Sequence, residues 1–364
     1  MADLRNILSA ILITAVIALS GCATSSQEGR EHYFWPPPPN PPRIEWLAAY
    51  HSQLDLEKTS LRRFKEAIVG EDTPITLVKP IEARFDSVHD KLYVADIGAA
   101  AVFVFDLRQR ELRILSTQGG DLPEKIRPIG LALDQANSLY VLEPHLNQIL
   151  VFDAAEKFLR TIKLTKLCRR PGAIVIDKTK GRLYVADIQL DKIFALDLNG
   201  NLLFTIGQPG DSDGSLNRPI GMAIDSKGEL IVADAFNANI QIFDDKGAFR
   251  RSFGKRGDSP GDFQLIKAVA VDSDDNIYVA DGRSHNIKIF NQSGDLLLTF
   301  GNYYAVSSSG KIAPGGFAIP VGIDIDSHDR LFIVDQLNAR IQVFQYLSSK
   351  KNSTPNTNDS RQAK

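Results

Sequence analysis

Basic and acidic residues recur in two regular series through most of this 364-residue chain. The basic series is Lys79, Arg127, Arg170, Arg218 and Lys267, and its first four members stand directly before proline. An acid follows each base at a nearly constant spacing, and the acidic series has a sixth member: Asp96, Glu143, Asp187, Asp234, Asp281 and Asp335. Arginine carries forked donors that match carboxylates and phosphates. Two alternatives are therefore open. Each base pairs with an acid of its own or the adjacent blade while the acids also cap their loops through backbone hydrogen bonds, or the bases form a collar that binds an anionic ligand or an acidic segment of a partner.

The residues that usually hold metals or act as nucleophiles show no convergent pattern. The six histidines fall at unrelated places relative to these series: His32, His51, His89, His145, His285 and His328. Residues 272–276, DSDDN, alternate oxygen ligands as a calcium loop does, but Ile277 stands where such a loop needs glycine. The chain has no phosphate-binding loop and no nucleophile elbow. We therefore predict no catalytic residue, no metal and no cofactor.

The two cysteines have different surroundings. The apolar run over residues 7–19 precedes Cys22; it suits a signal peptide and is too short to span a bilayer comfortably. The following LSGC resembles the bacterial lipobox, which implies a signal peptide over residues 1–21 and a lipidated Cys22. An ordinary secretory cleavage site that ends in cysteine is the alternative. Cys168 then lacks a disulfide partner, and although the basic residues of KLCRRP could lower its pKa, we expect a structural role.

Composition and the residue after Cys22 indicate a cellular location. Ala23, rather than aspartate, follows the cysteine, and the lipobox resemblance then implies the outer membrane of a bacterial envelope, facing the periplasm or the surface. Two or more acyl chains hold a protein stably on a membrane. The formal net charge of -2 and a pI of about 6.3 argue against nucleic-acid binding, which normally needs a basic surface.

The segments on either side of the two series predict a tether, a strand, a helix and a tail. Residues 22–42 are polar and end in FWPPPPNPP, which favours an extended polyproline stalk over a ligand for an aromatic groove. Residues 43–50 alternate as a strand does, and residues 54–69 have the apolar spacing of a short helix. Residues 348–364 are polar and lack apolar side chains, so we expect a disordered tail.

Between these segments lies a sequence repeat that occurs six times. The first predicted strand of each unit ends in aspartate: Asp86, Asp134, Asp177, Asp225, Asp272 and Asp326. Successive aspartates in this series are 43–54 residues apart. Several short β-branched strands in each unit of that length are typical of a β-propeller, with one four-stranded antiparallel blade per repeat. Small residues in first strands such as IGMAID would let neighbouring backbones approach at the axis. We predict an all-β, six-bladed propeller over residues 43–347.

The phrases RPIGMAID, LIVAD, NIQIFD and FRRSFG, in that order, resemble the NHL-repeat family of propellers, and the resemblance covers residues 80–347. Two blades depart from the pattern, with LEPH in the second and GAAAV in the first. The sixth repeat stops after RIQVFQYL and lacks its outermost strand. We therefore predict that residues 43–50 pair with residues 341–347 and close the ring, which removes exposed strand edges.

The predicted function follows from the fold by analogy. We expect a monomeric, membrane-anchored scaffold that binds an envelope protein or an anionic ligand, with no nucleic acid involved. The alternative is a propeller enzyme of the lyase or lactonase type with its site in the central channel. Acids and histidines with shifted pKa values in the channel would favour the enzyme. A channel lined by glycine, alanine and paired salt bridges would favour the binding protein.

Overall fold

The computed structural model describes residues 32–70, 73–116, 122, 125–305 and 313–348. The chain divides into Met1–His32, of which only His32 is described, and a compact unit that starts at Tyr33. The predicted signal peptide and Cys22 lie outside the described residues and stay predictions. The predicted tail begins one residue too early, because Ser348 is buried and its hydroxyl donates to Asp274 Oδ2 at 2.8 Å.

Six antiparallel sheets follow one another along the chain, as predicted for a propeller. Two strands precede the first blade, Phe34–Trp35 (β1) and Ile44–Tyr50 (β2). Blade one contains Pro80–Asp86 (β3), Lys91–Asp96 (β4), Ala101–Asp106 (β5) and Glu111–Ile114 (β6). Blade two contains Gly130–Leu133 (β7), Leu139–Glu143 (β8), Gln148–Phe152 (β9) and Phe158–Lys163 (β10). Blade three contains Pro171–Asp177 (β11), Arg182–Asp187 (β12), Lys192–Asp197 (β13) and Leu202–Ile206 (β14).

The remaining three blades repeat this order. Blade four contains Pro219–Ile224 (β15), Leu230–Asp234 (β16), Asn239–Phe243 (β17) and Phe249–Phe253 (β18). Blade five contains Ile266–Val271 (β19), Ile277–Asp281 (β20), Asn286–Phe290 (β21) and Leu296–Phe300 (β22). The loop that follows contains a short parallel pair, Asn302–Tyr303 (β23) and Gly316–Phe317 (β24). Blade six contains Pro320–Ile325 (β25), Arg330–Asp335 (β26) and Arg340–Tyr346 (β27), joined by β2 and β1.

The N-terminal strand completes blade six. β2 pairs antiparallel with β27, with Ile44 opposite Tyr346 and Tyr50 opposite Ile341, which confirms the pairing predicted from the sequence. First strands of neighbouring blades contact one another around the whole ring, including β25 with β3. At that last seam Phe85 stacks on Phe332 with ring centroids 4.5 Å apart. Chain closure therefore uses the same strand ladder as the other blades.

The core is divided among the blade interfaces. Six clusters of buried apolar side chains each draw on two neighbouring blades. Second strands such as β16 are buried along their whole length because both faces of the blade are covered. A single blade would leave one of these faces in water, and apolar burial contributes roughly 25 cal/mol per Å². Stability therefore depends on neighbouring blades being in place, which explains the repeated sequence.

Two local predictions are corrected. The Pro-rich segment is not an extended stalk: Phe34 pairs with Glu45 and Trp35 with Ile44, so residues 36–43 reverse the chain. Trp35 packs against Phe344, 5.7 Å between ring centroids, so a tether would end before Tyr33 and not at residue 42. The predicted helix over residues 54–69 is two pieces, a 3₁₀ turn Gln53–Asp55 and α1, Ser60–Val69.

The break between these helical pieces has a local cause. Leu56 lies between the two pieces, has an extended backbone and is buried in the cluster between blades six and one, so the chain cannot continue as a helix there. Thr59 then caps α1 by accepting from the Arg62 N–H at 3.2 Å, and Gly70 ends it with a φ of 90°. Within the described part of the chain, no helix is long and apolar enough to cross a bilayer.

Candidate functional site

First strands begin and second strands end at the same side of the propeller. The antiparallel register places Pro219 opposite Asp234, and Pro171 opposite Asp187. We call this side the collar face. It also carries the loops that join second to third strands. The face predicted from the sequence therefore exists, and it brings four of the predicted basic residues to the starts of first strands: Lys79, Arg127, Arg170 and Arg218.

Lys267 is not where the sequence analysis put it. It lies inside β19, one residue after the start of the strand, and Ile266 rather than Lys267 stands opposite Asp281. The collar position of blade five is therefore Leu265. The different position of Lys267 can be read from the sequence, because Lys267 is five residues before its strand-ending Asp272 whereas Arg218 is seven residues before Asp225. In the four blades that carry the other bases, a proline directly after the basic residue marks the start of the first strand, and blade five has no proline at that place.

The acids at the ends of second strands bind backbone N–H groups of the loops. Asp187 Oδ2 accepts from the Arg170 N–H at 2.9 Å, and its Oδ1 accepts from the Gln189 N–H at 2.8 Å. Asp96 joins the Lys79 N–H at 2.9 Å to the Gly98 N–H at 2.8 Å in the same way. Asp187 and Asp96 each hold two loops of the collar face together, the loop before the first strand and the loop after the second strand.

The basic side chains of the collar consequently have no acidic partner among the residues that the structure describes. Of the structural alternative, the loop capping by the acids is confirmed, whereas the pairing of each base with an acid is not seen among the described residues. The second-strand acids that form ion pairs use third-strand bases instead. Asp281 lies 3.2 Å from Lys288 Nζ, and Asp335 lies 2.8 Å from Arg340 Nε. Among the described residues, no ion pair involves a member of the collar series: Lys79, Arg127, Arg170, Arg218 and Lys267.

Two of these bases lie close enough to repel each other. Burial lowers the pKa of Lys267, and the positive charge of Arg218 lowers it further. The Arg218 guanidinium lies 5.0 Å from the centre of the Phe236 ring, a cation–π distance, and the backbone N–H of Arg218 donates to Asp191 Oδ1 at 2.7 Å. An anion placed between Lys267 and Arg218 would relieve the repulsion, so this part of the face favours negative charge.

Exposed apolar side chains surround the basic ones. Phe236 and Leu337 occupy corresponding places in the loops after the second strands of blades four and six, and Leu146 lies one position further along the same loop of blade two. More than half of each residue's surface is exposed, and Val78 beside Lys79 is similarly exposed. The sequence analysis missed these residues, although an apolar residue two or three positions after the second-strand acid is readable. The collar face can therefore contact acidic and apolar groups together.

A charged cluster in the central channel was also missed. A cavity of about 400 Å³ is lined by first-strand residues of all six blades, including Arg84 and Asp324. Arg84 Nη1 donates to Glu82 Oε1 at 2.9 Å and to Asp324 Oδ1 at 3.4 Å. Burial raises the pKa of Glu82 to about 7, although the charge of Arg84 opposes the shift and that of Asp324 adds to it. The rest of the lining mixes aliphatic side chains with three more acids and a lysine, Asp177, Asp225, Asp326 and Lys178, and includes no histidine among the described residues. Burial raises the pKa of Asp225 and of Asp324.

The histidines have separate partners. His89 Nδ1 lies 2.6 Å from Asp86 Oδ2, His51 Nδ1 lies 2.7 Å from the Ala339 carbonyl, and His285 Nδ1 accepts from an N–H of the backbone. In the part of the chain that the structure describes, no group of three or more histidine, cysteine or acidic residues is arranged to hold a metal ion. Burial and the nearby Asp187 raise the pKa of Cys168 to about 12, so its basic neighbours do not activate it.

Comparison with known proteins agrees with this architecture. A protein family described as a 6-bladed beta-propeller matches residues 213–299, which hold blades four and five. No curated protein matches the chain. Among solved structures, virginiamycin B lyase from Staphylococcus aureus is 13% identical with a TM-score of 0.54, covering 74% of this chain and 95% of that one.

Two further structures share the fold. A chain of a nidogen/laminin complex is 22% identical with a TM-score of 0.52, covering 62% of this chain and 83% of that one. A structural genomics protein of unknown function from Bacteroides thetaiotaomicron VPI-5482 is 13% identical with a TM-score of 0.60, covering 83% and 75% respectively. These identities show the fold alone. The chain is a six-bladed β-propeller with four-stranded antiparallel blades and very little helix.

Proposed function

We propose that this chain is an NHL-type propeller lipoprotein of the bacterial outer membrane, anchored through Cys22, that binds an acidic segment of an envelope protein without catalysis. The collar face is the binding surface, and the propeller works as a monomer. The repeat phrases and the LSGC sequence support the class and the anchor. One observation carries the binding role: the collar bases lack acidic partners among the described residues while the neighbouring acids are held by backbone N–H groups.

The physical argument concerns the cost of desolvating charge. A guanidinium that already pairs with a carboxylate gains little from a second anion, whereas an unpaired one gains charge-assisted hydrogen bonds. Arg218 is held against Phe236, which reduces the conformational freedom it would lose on binding. The exposed Leu146 and Leu337 offer apolar contacts to the same partner. An acidic peptide with interspersed apolar side chains matches this combination.

Charge reversal tests the collar. We expect Arg127→Glu with Arg218→Glu to weaken binding of a fluorescent peptide of alternating glutamate and leucine by at least about tenfold. Fluorescence anisotropy at low and high salt measures the change. The matched control is Lys157→Glu with Lys246→Glu, which makes the same charge change on the turns between third and fourth strands of the same two blades, at the opposite side. Equal weakening by both pairs, or no weakening by the first, overturns the collar.

Crosslinking in intact cells tests the partner class. A photocrosslinking residue replacing Phe236 should capture an envelope protein, and the same residue replacing Val88 on the opposite side should not. Capture from Phe236 should disappear in the Arg127→Glu, Arg218→Glu chain. Mass spectrometry of the product then identifies the acidic segment.

The channel cluster favours a second candidate, an enzyme of the lyase or lactonase type. A carboxyl with a pKa of about 7 can exchange protons near neutral pH, and Glu82 has that property. Against it, Glu82 and Asp324 are both paired with Arg84, and no histidine lines the channel among the described residues. A lactone or ester that purified protein turns over, with turnover lost in Glu82→Gln, would favour this candidate over the binding protein.

A further inference from the structure

The short helix α1 (Ser60–Val69) exposes apolar side chains and partly buries charged ones, the reverse of the usual surface helix. Its charged side is turned toward the protein: the side chains of Arg62 and Glu66 are only 22% and 17% exposed. Its apolar side is turned outward: Phe64 and Ile68, one helical turn apart, are 65% and 66% exposed. Surface helices normally bury the apolar stripe and expose the charges. This orientation leaves both apolar side chains available for contact with a surface outside the described residues.

The inward orientation is fixed by specific contacts. Glu66 receives Lys58 Nζ at 2.8 Å and Arg62 Nε at 2.9 Å, and Arg62 Nη1 also donates to the Gln53 carbonyl at 3.2 Å. The Arg62–Glu66 pair lies within α1, whereas the bonds to Lys58 and to the Gln53 carbonyl tie the polar side of the helix to the preceding residues, so a rotation that buried Phe64 would break these two. The exposure of the apolar side is therefore built into the attachment of the helix.

The charge of α1 is positive. Its sequence, SLRRFKEAIV, has three basic residues and one acid. That acid is Glu66, which Lys58 and Arg62 already neutralise. Arg63 is exposed next to the apolar side. An apolar strip beside an exposed arginine that forms no ion pair among the described residues is the pattern of a helix that lies in the headgroup region of an anionic membrane.

The remaining chain offers no suitable cover. Segments outside the described residues are polar or lack an apolar run, apart from residues 7–19, the core of the predicted signal peptide. A second copy or a partner protein would need roughly 800 Å² per side for a stable interface. Phe64 and Ile68 alone provide far less, since even a large aromatic residue buries about 150–250 Å². A lipid surface has no such minimum area, so it fits these two residues better than a protein does.

We propose that α1 is a membrane-surface contact, with Phe64 and Ile68 inserted among anionic headgroups and the exposed Arg63 beside lipid phosphates. This deepens the proposed membrane location and adds a second point of attachment that does not use the lipid on Cys22. The propeller would then have a fixed orientation relative to the bilayer and would not rotate freely on its tether. The collar plays no part in this contact.

Vesicle binding by the chain that starts at Ala23 tests the proposal, because this chain lacks the lipidation site and keeps the compact unit from Tyr33 intact. We expect it to co-sediment with phosphatidylcholine vesicles that contain phosphatidylglycerol, and much less with pure phosphatidylcholine or at high salt. Phe64→Ser with Ile68→Ser should weaken binding at least about tenfold. The control, Leu202→Ser with Leu203→Ser, removes two comparably exposed residues from the edge of blade three and should bind as the parent does.

Each other outcome overturns the contact. The proposal fails if the parent chain ignores phosphatidylglycerol, or if the Phe64, Ile68 double variant binds as well as the parent. It also fails if sedimentation velocity shows a dimer that the double variant abolishes while vesicles are not bound, since a second copy would then cover α1. Circular dichroism of both double variants shows that the folds are comparable. Failure here leaves the collar and the Cys22 anchor unaffected, because neither is used in the assay.

Discussion

At the residue scale, the buried acids at second-strand ends differ in pKa although their positions are equivalent. Burial raises the pKa of Asp234 to about 6 against the hydrogen bonds it accepts, including one from Gln241 Nε2 at 3.1 Å. In blade five burial acts in the same direction, but two loop N–H groups and the charge of Lys288 lower the pKa of Asp281. The loop N–H groups and the third-strand residue, glutamine in blade four and lysine in blade five, therefore together set the direction of the pKa shift.

Glu82 makes the stability of the protein depend on pH. Its pKa is about 7 in the folded protein and 4.5 ordinarily, so the folded state binds more protons between these values. Its contribution to stability is therefore greatest below about pH 4.5, falls as the pH rises toward 7 and then levels off, with a loss of up to about 3 kcal/mol. We expect Glu82→Gln to match the parent at pH 5 and to exceed it at pH 8.

Urea unfolding at several pH values measures this difference. Glu57→Gln is the control because Glu57 is exposed and pairs with the exposed Arg110; it should leave the pH profile unchanged. An identical profile for the parent and Glu82→Gln would mean that water in the channel solvates the carboxylate.

At the element scale, the first strands pack backbone against backbone. A Cβ on Gly322 would lie 2.9 Å from the Ile81 carbonyl oxygen of blade one, and a Cβ on Gly221 would lie 3.1 Å from Ala268 Cα of blade five. Neither backbone atom can move aside without moving its strand. The sequence analysis predicted that small residues let neighbouring backbones approach at the axis. The geometry agrees, because the glycine Cα atoms lie against the backbone of the adjacent first strand.

Alanine at Gly322 tests this packing. We expect Gly322→Ala to destabilise the protein by about 1–3 kcal/mol, since the added methyl group overpacks the seam between blades six and one. Gly261→Ala is the control, because a Cβ there would meet nothing within 4 Å; its effect should stay within about 0.5 kcal/mol. Denaturant unfolding gives both values. Equal stability of the two variants would show that the seam can widen at no cost.

Sequence reasoning succeeded where strand pattern and turn residues repeat and failed where one chain segment departs from the repeat. The six strand-ending aspartates located every blade. Lys267 was misplaced because Ile266 replaces the proline that marks the other collar positions. The prolines of residues 36–42 predict an extended stalk, but the pairing of β1 with β2 reverses the chain there, and the local pattern carries no information about that pairing. The Glu82–Arg84–Asp324 cluster joins blades one and six, and local pattern carries no information about such a contact.

At the scale of the whole molecule, blade six is assembled from both ends of the described chain. β2 precedes the first blade in sequence and β27 is the last strand, yet the two form one ladder, and Ile44 is fully buried in the cluster between blades five and six. Contacts of such high sequence separation are costly to close. They also make the ring one cooperative structure, since releasing β2 exposes the edge of β27 together with an interface core.

Truncation tests this cooperativity. A chain that starts at residue 51 lacks β1 and β2, so we expect it to unfold at a lower denaturant concentration and to form oligomers through the open edge of β27. A chain that ends at residue 348 keeps every described strand and should unfold as the full chain does. A synthetic peptide of residues 33–50 should restore both stability and the monomeric state to the first truncation, because it supplies the missing ladder and Ile44. If both truncated chains unfold at the same midpoint and stay monomeric, the first five blades and β25–β27 are stable without β2, and the N-terminal strand only decorates a ring that is already closed.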